Sequence, residues 1–165
     1  MYVLVSGLPG SGKSTLAQLL GPALELPVLS KDVIKEALWD ALGPGDRAWA
    51  KQLGFAASVA LTSLVRSSDG AVVDHFVHAD HLSDWTALAG IVEVRCACSP
   101  DLARERYAGR VRHPCHFDDD QLRDSYDAWI EEDATRAPVG PRLDVDTGSP
   151  VDVASIASWV RTLER

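Results

Sequence analysis

The stretch GLPGSGKS, at residues 7–14, follows an apolar run at 2–6 and precedes a segment of helical pattern at 13–22. It matches G-x-x-x-x-G-K-[ST] at every fixed position, with a strand predicted before it and a helix after it. Glycines let the backbone N–H groups turn toward phosphate oxygens, and the helix N-terminus adds the positive end of its dipole. The stretch therefore predicts a phosphate-binding loop.

The loop indicates a nucleotide and its metal. We expect Lys13 to bridge the β- and γ-phosphates of ATP and the Ser14 hydroxyl to join a Mg²⁺ shell. Asp74, which ends the apolar run AVVD, is the predicted acid on the metal side, although an aspartate at a strand end can also simply begin a turn. The candidate ATP-binding residues are Gly7, Leu8, Pro9, Gly10, Ser11, Gly12, Lys13, Ser14 and Thr15.

Composition indicates one ordinary globular domain, over residues 1–165. Apolar residues make up 46% and charged residues 24% of the 165 residues. No apolar run approaches the roughly 20 residues of a membrane span, so no membrane partner is expected. The chain has three cysteines, an odd number and too few for a disulfide framework, which favours a reducing, cytoplasmic location.

The charge balance disfavours nucleic acid as a partner. The formal net charge is −8, with acids concentrated at 118–133 and arginines at 95–112. Phosphate neutralisation by lysine and arginine supplies most of the affinity for a nucleic-acid backbone, so an acidic chain is a poor platform for it. Both charged segments are also consistent with solvated helix surface.

Short β-rich runs alternate with helical stretches along the whole chain. This alternation predicts a three-layer α/β/α fold with a mostly parallel sheet covered on both faces. Predicted strands are 2–6, 27–30, 71–74, 91–98 and 142–146; predicted helices lie near 13–22, 31–42, 46–67, 80–89, 100–110, 119–134 and 151–164.

Two helix starts carry sequence signals of their own. Ser30 is a predicted N-cap of the second helix, and Asp118 is a predicted N-cap with Gln121 three residues later. Apolar residues of the second helix recur at helical spacing and predict its buried face: Val33, Ile34, Ala37, Leu38, Ala41 and Leu42.

These segments together resemble the small P-loop kinases that phosphorylate hydroxyls, a group including chloramphenicol phosphotransferase, gluconate kinase, zeta-toxin kinases and the kinase module of polynucleotide kinases. The resemblance rests on GLPGSGKST, LSKDVIKEAL, VVD, SPDLARERYAGRVRHP and LDVDTGSPVDV. It implies the P-loop NTPase fold with sheet order 2-3-1-4-5 and a helical lid at about 104–120. It also implies Asp32 as general base and an adenine-bordering loop at 146–150.

Asp32 suits that role on its own chemistry as well. It falls in the first turn of the second helix, where the helix dipole stabilises a carboxylate that accepts a hydroxyl proton. Lys35, Glu36 and Trp39 share its helix face and suggest an acceptor pocket, to which we assign Glu36 and Trp39. The alternative is a helix-start aspartate followed by a solvent-facing pattern with a partly buried tryptophan.

The predicted lid supplies arginines for the transition state. Arg106 and Arg110 share a helix face with His113 and are the predicted catalytic pair beside Lys13, with Arg104 in reserve. They fit equally a surface helix that pairs with the acidic segment. His75 and His78 follow the third strand at the sheet edge where α/β ligands bind, and they are predicted to contact the acceptor.

The sequence thus predicts an ATP-dependent phosphotransferase that moves the γ-phosphate to a hydroxyl of a small metabolite or antibiotic, as a monomer or weak homodimer. A polynucleotide 5′-hydroxyl kinase or a nucleotide-sugar kinase would use the same parts. A nucleotide-dependent switch or binding module is the alternative of another class.

Overall fold

The computed structural model describes residues 1–163, and its centre is a five-stranded parallel sheet. The strand order β2-β3-β1-β4-β5 confirms the predicted order. The strands are β1 (Tyr2–Ser6), β2 (Val28–Ser30), β3 (Ala71–Asp74), β4 (Ile91–Ala97) and β5 (Arg142–Asp146). All four strand pairs are parallel, so their carboxyl ends share one edge.

Helices cover both faces of the sheet. They are α1 (Lys13–Leu24), α2 (Lys31–Leu42), α3 (Arg47–Ser67), α4 (Leu82–Thr86), α5 (Pro100–Ala108), α6 (Asp118–Asp124), α7 (Tyr126–Thr135) and α8 (Val153–Thr162), with 3₁₀ turns at Ala79–His81 and Pro114–His116. The last residue of the final predicted helix, 164, lies outside the described residues. Within residues 1–163, every helix is too short or too polar to span a lipid bilayer.

Alternation along β1 builds two separate cores. Val3 and Val5 point to the layer of α1 and α8, where they pack with Leu16 and Val160. Leu4 points to the opposite layer, into a cluster that includes residues of α3 and α4, among them Leu61, Val65 and Trp85. Because parallel strands are buried on both faces, all of these side chains are apolar. The three-layer α/β/α prediction is confirmed.

The predicted buried face of α2 is correct only for Ile34 and Leu38, which are half-buried against the core clusters. Lys35 and Trp39 are the buried residues of this helix, whereas Val33 and Leu42 are 60% and 61% exposed. Trp39 packs in a cluster with residues of α3, and the buried Lys35 Nζ donates a hydrogen bond to the Cys115 carbonyl oxygen at 2.8 Å. Contacts with neighbouring elements therefore override the local apolar pattern.

Ser30 is the N-cap residue of α2, as predicted, but neither Ser30 nor Asp118 caps a helix through its side chain. The Ser30 hydroxyl makes no bond to the helix start and instead donates to Asp74 Oδ2 at 3.1 Å. Asp118 is the first residue of α6, after Phe117, and its carboxylate accepts from the Tyr107 hydroxyl at 2.7 Å. The predicted helix at 119–134 is two helices, because Ser125 leaves helical geometry with φ −130°.

A buried ion pair joins three parts of the fold. Glu93 of β4 is fully buried and pairs with Arg136, which follows α7. The same carboxylate accepts from the Ser6 hydroxyl at the end of β1 and, at 3.1 Å, from the Val139 backbone N–H. These bonds offset the cost of burying the charge. They hold the end of β1, and so the start of the phosphate loop, against the segment after α7.

Removing one partner of this pair should destabilise the protein strongly. We expect Arg136→Met to lower the free energy of unfolding by about 3–5 kcal/mol, because Glu93 would remain buried without a counter-charge. Urea denaturation followed by circular dichroism measures it. Arg123→Met, which breaks only exposed ion pairs, is the control and should change the midpoint little. Equal midpoints for both variants would contradict this assignment.

Candidate active site

A cavity of about 640 Å³ opens at the carboxyl edge of the sheet. Its walls come from the phosphate loop, the start of α2, the segment after β3, the lid segment (residues 104–120) and the loop after β5. The position follows from the topology, since parallel α/β folds bind ligands outside the carboxyl ends of their strands. The cavity has the size of a small-molecule site.

The phosphate loop forms one wall. Gly10 and Gly12 adopt φ +91° and +97°, and a Cβ on Gly10 would lie 2.1 Å from the Ala103 carbonyl oxygen, so the loop packs tightly on α5. The candidate residues that line the cavity are Pro9, Gly10, Gly12, Lys13, Ser14 and Thr15. The other three, Gly7, Leu8 and Ser11, are buried beneath the loop.

Lys13 is held within the loop that it is predicted to serve. Its Nζ donates to the Leu8 carbonyl oxygen at 2.8 Å. Burial lowers the pKa of Lys13, while the charge of Asp74 acts in the opposite direction. A phosphate group in the cavity would restore the favourable environment of the ammonium, because it supplies negative charge and several acceptor oxygens.

Asp74 and Ser14 meet the chemical requirements of a Mg²⁺ site. Both line the cavity, and Asp74 ends β3, beside the end of β1. Asp74 is oriented by Ser30, whose hydroxyl donates to one carboxylate oxygen and leaves the other available. Mg²⁺ prefers a few hard oxygen ligands and keeps several waters, so a hydroxyl, a carboxylate and phosphate oxygens suit it. The two residues therefore fit the predicted metal.

The predicted base, Asp32, is engaged by an arginine that the sequence did not single out. Arg112 Nη2 forms an ion pair with Asp32 Oδ2. Arg112 also contacts Asp118 Oδ1 at 3.2 Å and His116 Nε2 at 3.1 Å. Burial acts to raise the pKa of Asp32, but the charges of Arg112 and Lys31 outweigh it and hold this pKa well below its ordinary value. Asp32 is therefore an anion at neutral pH.

The arginines predicted for the lid make different contacts beside the cavity. Arg106 donates to the Thr147 carbonyl oxygen at 3.0 Å, and the Arg110 guanidinium lies 4.0 Å from the Tyr107 ring centre. Both line the cavity. They do not share a helix face, because α5 ends at Ala108. Arg104, the reserve candidate, forms an ion pair with Asp127 instead, as in the surface-helix alternative.

Two of the four predicted acceptor residues, His75 and His78, line the cavity. His75 is buried, its Nδ1 has no hydrogen-bond partner among the described residues, and burial lowers its pKa to about 3, so the ring is neutral. His78 Nδ1 lies 2.9 Å from Glu132 Oε2.

Glu36 and Trp39 lie outside the cavity wall, which corrects their predicted place in the pocket. Glu36 Oε1 lies 2.7 Å from His116 Nε2 and so helps to position His116, which contacts Arg112. Trp39 is 7% exposed and packs edge-on against His113 and Phe117 of the lid segment. Trp39 is turned away because that apolar cluster offers burial that a polar cavity does not.

The loop after β5, which the resemblance places beside adenine, lines the cavity next to the phosphate loop. Thr147 and Ser149 line the wall, and Thr147 approaches the position of a Cβ on Gly12 to 3.9 Å. Cavity residues that sequence reasoning did not assign include Lys31, Lys35, Arg112, His116 and Asp118. Of these, only Lys35 had a signal, its helical spacing from Asp32.

A family model described as an AAA domain matches residues 3–131. The chain belongs to this family. A protein from Chloroflexus aurantiacus J-10-fl, described as a candidate kinase, is 30% identical with a TM-score of 0.81, and the match covers 99% of this chain and 98% of that one. The resemblance to small P-loop kinases is thus confirmed. No match was found among curated proteins.

Two further solved structures share the fold of this small P-loop kinase. Shikimate kinase from Acinetobacter baumannii, in complex with shikimate, has a TM-score of 0.56 at 14% identity, covering 98% of this chain and 91% of that one. A gluconokinase from Sinorhizobium meliloti 1021 has a TM-score of 0.61 at 18% identity, covering 98% and 90%.

The ion pair between Arg112 and Asp32 should be visible in an acid titration. Because the folded-state pKa of Asp32 is lowered, its contribution to stability is present at neutral pH and is lost as the pH falls below about 4. We expect Arg112→Met to move the pKa of Asp32 upward, as followed by the ¹³C shift of its carboxyl carbon. Arg123→Met should leave it in place. An unchanged Asp32 titration in Arg112→Met would contradict the pairing.

Proposed function

We propose that this small P-loop kinase transfers the γ-phosphate of ATP to a hydroxyl group of a small molecule. The observation that carries the proposal is the presence of Asp32 on the same cavity as Lys13, Ser14 and Asp74. A switch or binding module needs the nucleotide-binding residues but not an ionised acid opposite them. The cavity volume of about 640 Å³ suits a nucleotide phosphate chain and a compact acceptor.

The phosphate loop and Lys13 would hold the phosphates of ATP by charge-assisted hydrogen bonds. Ser14 and Asp74 would hold Mg²⁺, which neutralises charge on the phosphates. Arg106 and Arg110 lie on the lid side of the same cavity. Their guanidiniums would stabilise the charge that spreads over the transferred group, in a site from which the lid segment excludes water.

Asp32 would orient the acceptor hydroxyl and accept its proton. With a pKa well below its ordinary range, Asp32 is a weak base toward a free alcohol. The proton would therefore move to Oδ1 or Oδ2 as the bond from the alcohol oxygen to the γ-phosphorus forms and the bond from that phosphorus to the leaving oxygen of ADP breaks, because the hydroxyl becomes acidic at that stage. Arg112 has to share or leave the carboxylate for the hydroxyl to approach Oδ2, so acceptor binding and rearrangement of Arg112 are linked.

Replacing Asp32 should separate phosphate transfer from nucleotide binding. We expect Asp32→Asn to reduce acceptor-dependent ADP release about 10²- to 10⁴-fold, because the amide cannot accept the proton. The measurement is coupled-assay ADP release over a panel of hydroxyl compounds, with binding of a non-hydrolysable ATP analogue as the second readout.

Asp69→Asn, on the exposed loop before β3, is the matched control and should keep wild-type rates. Retention of acceptor-dependent turnover in Asp32→Asn would exclude Asp32 as the base. Nucleotide binding without any acceptor-stimulated ADP release would exclude the transferase.

A further inference from the structure

Two lysines stand on successive turns of α2 and face the acceptor side of the cavity. Lys31 and Lys35 both line it, on either side of Asp32 in sequence. Residues four apart on a helix lie about 5–6 Å apart at their Cβ atoms, so the two side chains run together. A Cβ on Gly54 of α3 would lie 3.8 Å from both Lys31 Nζ and Lys35 Cε. The side chains thus share one space between α2 and α3.

Neither ammonium has an acidic partner within residues 1–163. Neither Lys31 nor Lys35 takes part in a salt bridge in this part of the chain. The hydrogen bond that Lys35 Nζ does make goes to a neutral group, the Cys115 carbonyl oxygen. The two nearby acids are already engaged, Asp32 by Arg112 and Glu36 by His116. Burial lowers the pKa of Lys35, and the charge of Lys31 lowers it further. Like charges at this spacing destabilise a helix.

Cations outnumber acids at the acceptor end of the cavity. The chain carries a net charge of −8, yet Lys31, Lys35 and Arg112 line this end against two acids, Asp32 and Asp118, both of which pair with Arg112. An arrangement that costs stability in the empty protein is favourable when a ligand supplies the missing negative charge. Lys35 is almost fully buried, at 7% exposed, so bulk solvent screens its charge poorly.

We propose that the acceptor carries an anionic group, a carboxylate or a phosphate, which Lys31 and Lys35 bind while its hydroxyl meets Asp32. This inference rests on the proposed kinase function and names its substrate class. Lys31 is adjacent to Asp32 in the sequence and Lys35 follows it by three residues, so both lie within about one helix turn of it. The anionic group would therefore be only a few bonds from the reacting hydroxyl. The two lysines are therefore specificity-determining residues, and a neutral polyol leaves their charges uncompensated.

The first experiment measures anion binding alone. With the phosphate loop filled by Mg²⁺ and a non-hydrolysable ATP analogue, inorganic phosphate is titrated into the protein by calorimetry. We expect saturable binding that weakens at least about tenfold in Lys31→Gln, the size of one lost charge-assisted hydrogen bond. Lys51→Gln, which removes the same charge from an exposed site on α3, should leave it unchanged.

The second experiment uses acceptors of one carbon skeleton: gluconate, glucose 6-phosphate and sorbitol. We expect ADP release with gluconate or glucose 6-phosphate, and a kcat/KM at least about tenfold lower with sorbitol. Whichever of the two anionic compounds has the higher kcat/KM shows whether the site prefers a carboxylate or a phosphate. Lys31→Gln should reduce that preference, while Lys35→Arg, which keeps charge, should retain it.

The outcomes separate this inference from the function itself. Absence of phosphate binding, or equal binding by Lys31→Gln and wild type, would overturn the anion site. Preference for sorbitol would overturn it too, while leaving the kinase function intact. Failure of the wild-type protein to release ADP from ATP with any hydroxyl compound would instead count against the kinase function.

Discussion

The register between β1 and β3 is the constraint on which the site depends. Val5 stands opposite Asp74, so the strand that leads into the phosphate loop ends beside the strand that ends in the metal-side acid. Ser30, at the end of β2, stands on the other side of Asp74 and donates a hydrogen bond to it. Since Asp32 follows Ser30 by two residues, one row of strand ends brings together the phosphate loop, Asp74 and Asp32. A shift of register by one residue would turn Asp74 to the other face of the sheet.

Local patterns predicted the parts of the fold that depend on local chemistry. The sheet order came from the resemblance to small P-loop kinases, whereas the phosphate loop and the strands were predictable because loop, turn and strand signals lie within a few residues of one another. The buried face of α2 was predictable only in part, because Lys35 is buried by a carbonyl oxygen 80 positions along the chain, at Cys115. The side-chain caps at Ser30 and Asp118 failed for the same reason: distant partners compete for both side chains.

Arg112 shows most clearly what the sequence did not reveal. Helical spacing selected Arg106 and Arg110, but α5 ends at Ala108 and the chain beyond it follows no helical period. Arg112 lies in this irregular stretch and meets Asp32 at a separation of 80 residues. No local signal marks such a pairing. Gly109, which follows the last helical residue, was the one available warning that the spacing would not continue.

Charge at the site is balanced differently on its two sides. On the nucleotide side, the charge of Asp74 opposes the effect of burial on Lys13 but does not cancel it. On the acceptor side, Arg112 bridges Asp32 and Asp118 and joins the lid segment to α2. The same residue of the lid segment that keeps Asp32 ionised also holds this segment against α2.

The apolar cluster around Trp39 has a kinetic consequence. Phe117 and His113 of the lid segment pack on Trp39, and Cys115 is fully buried beside them. Opening the lid would return this surface to water, and re-exposing one large apolar side chain costs about 1.5–3 kcal/mol. A form with the lid segment detached from α2 is then a minor population, and any step that requires this detachment is slowed in proportion.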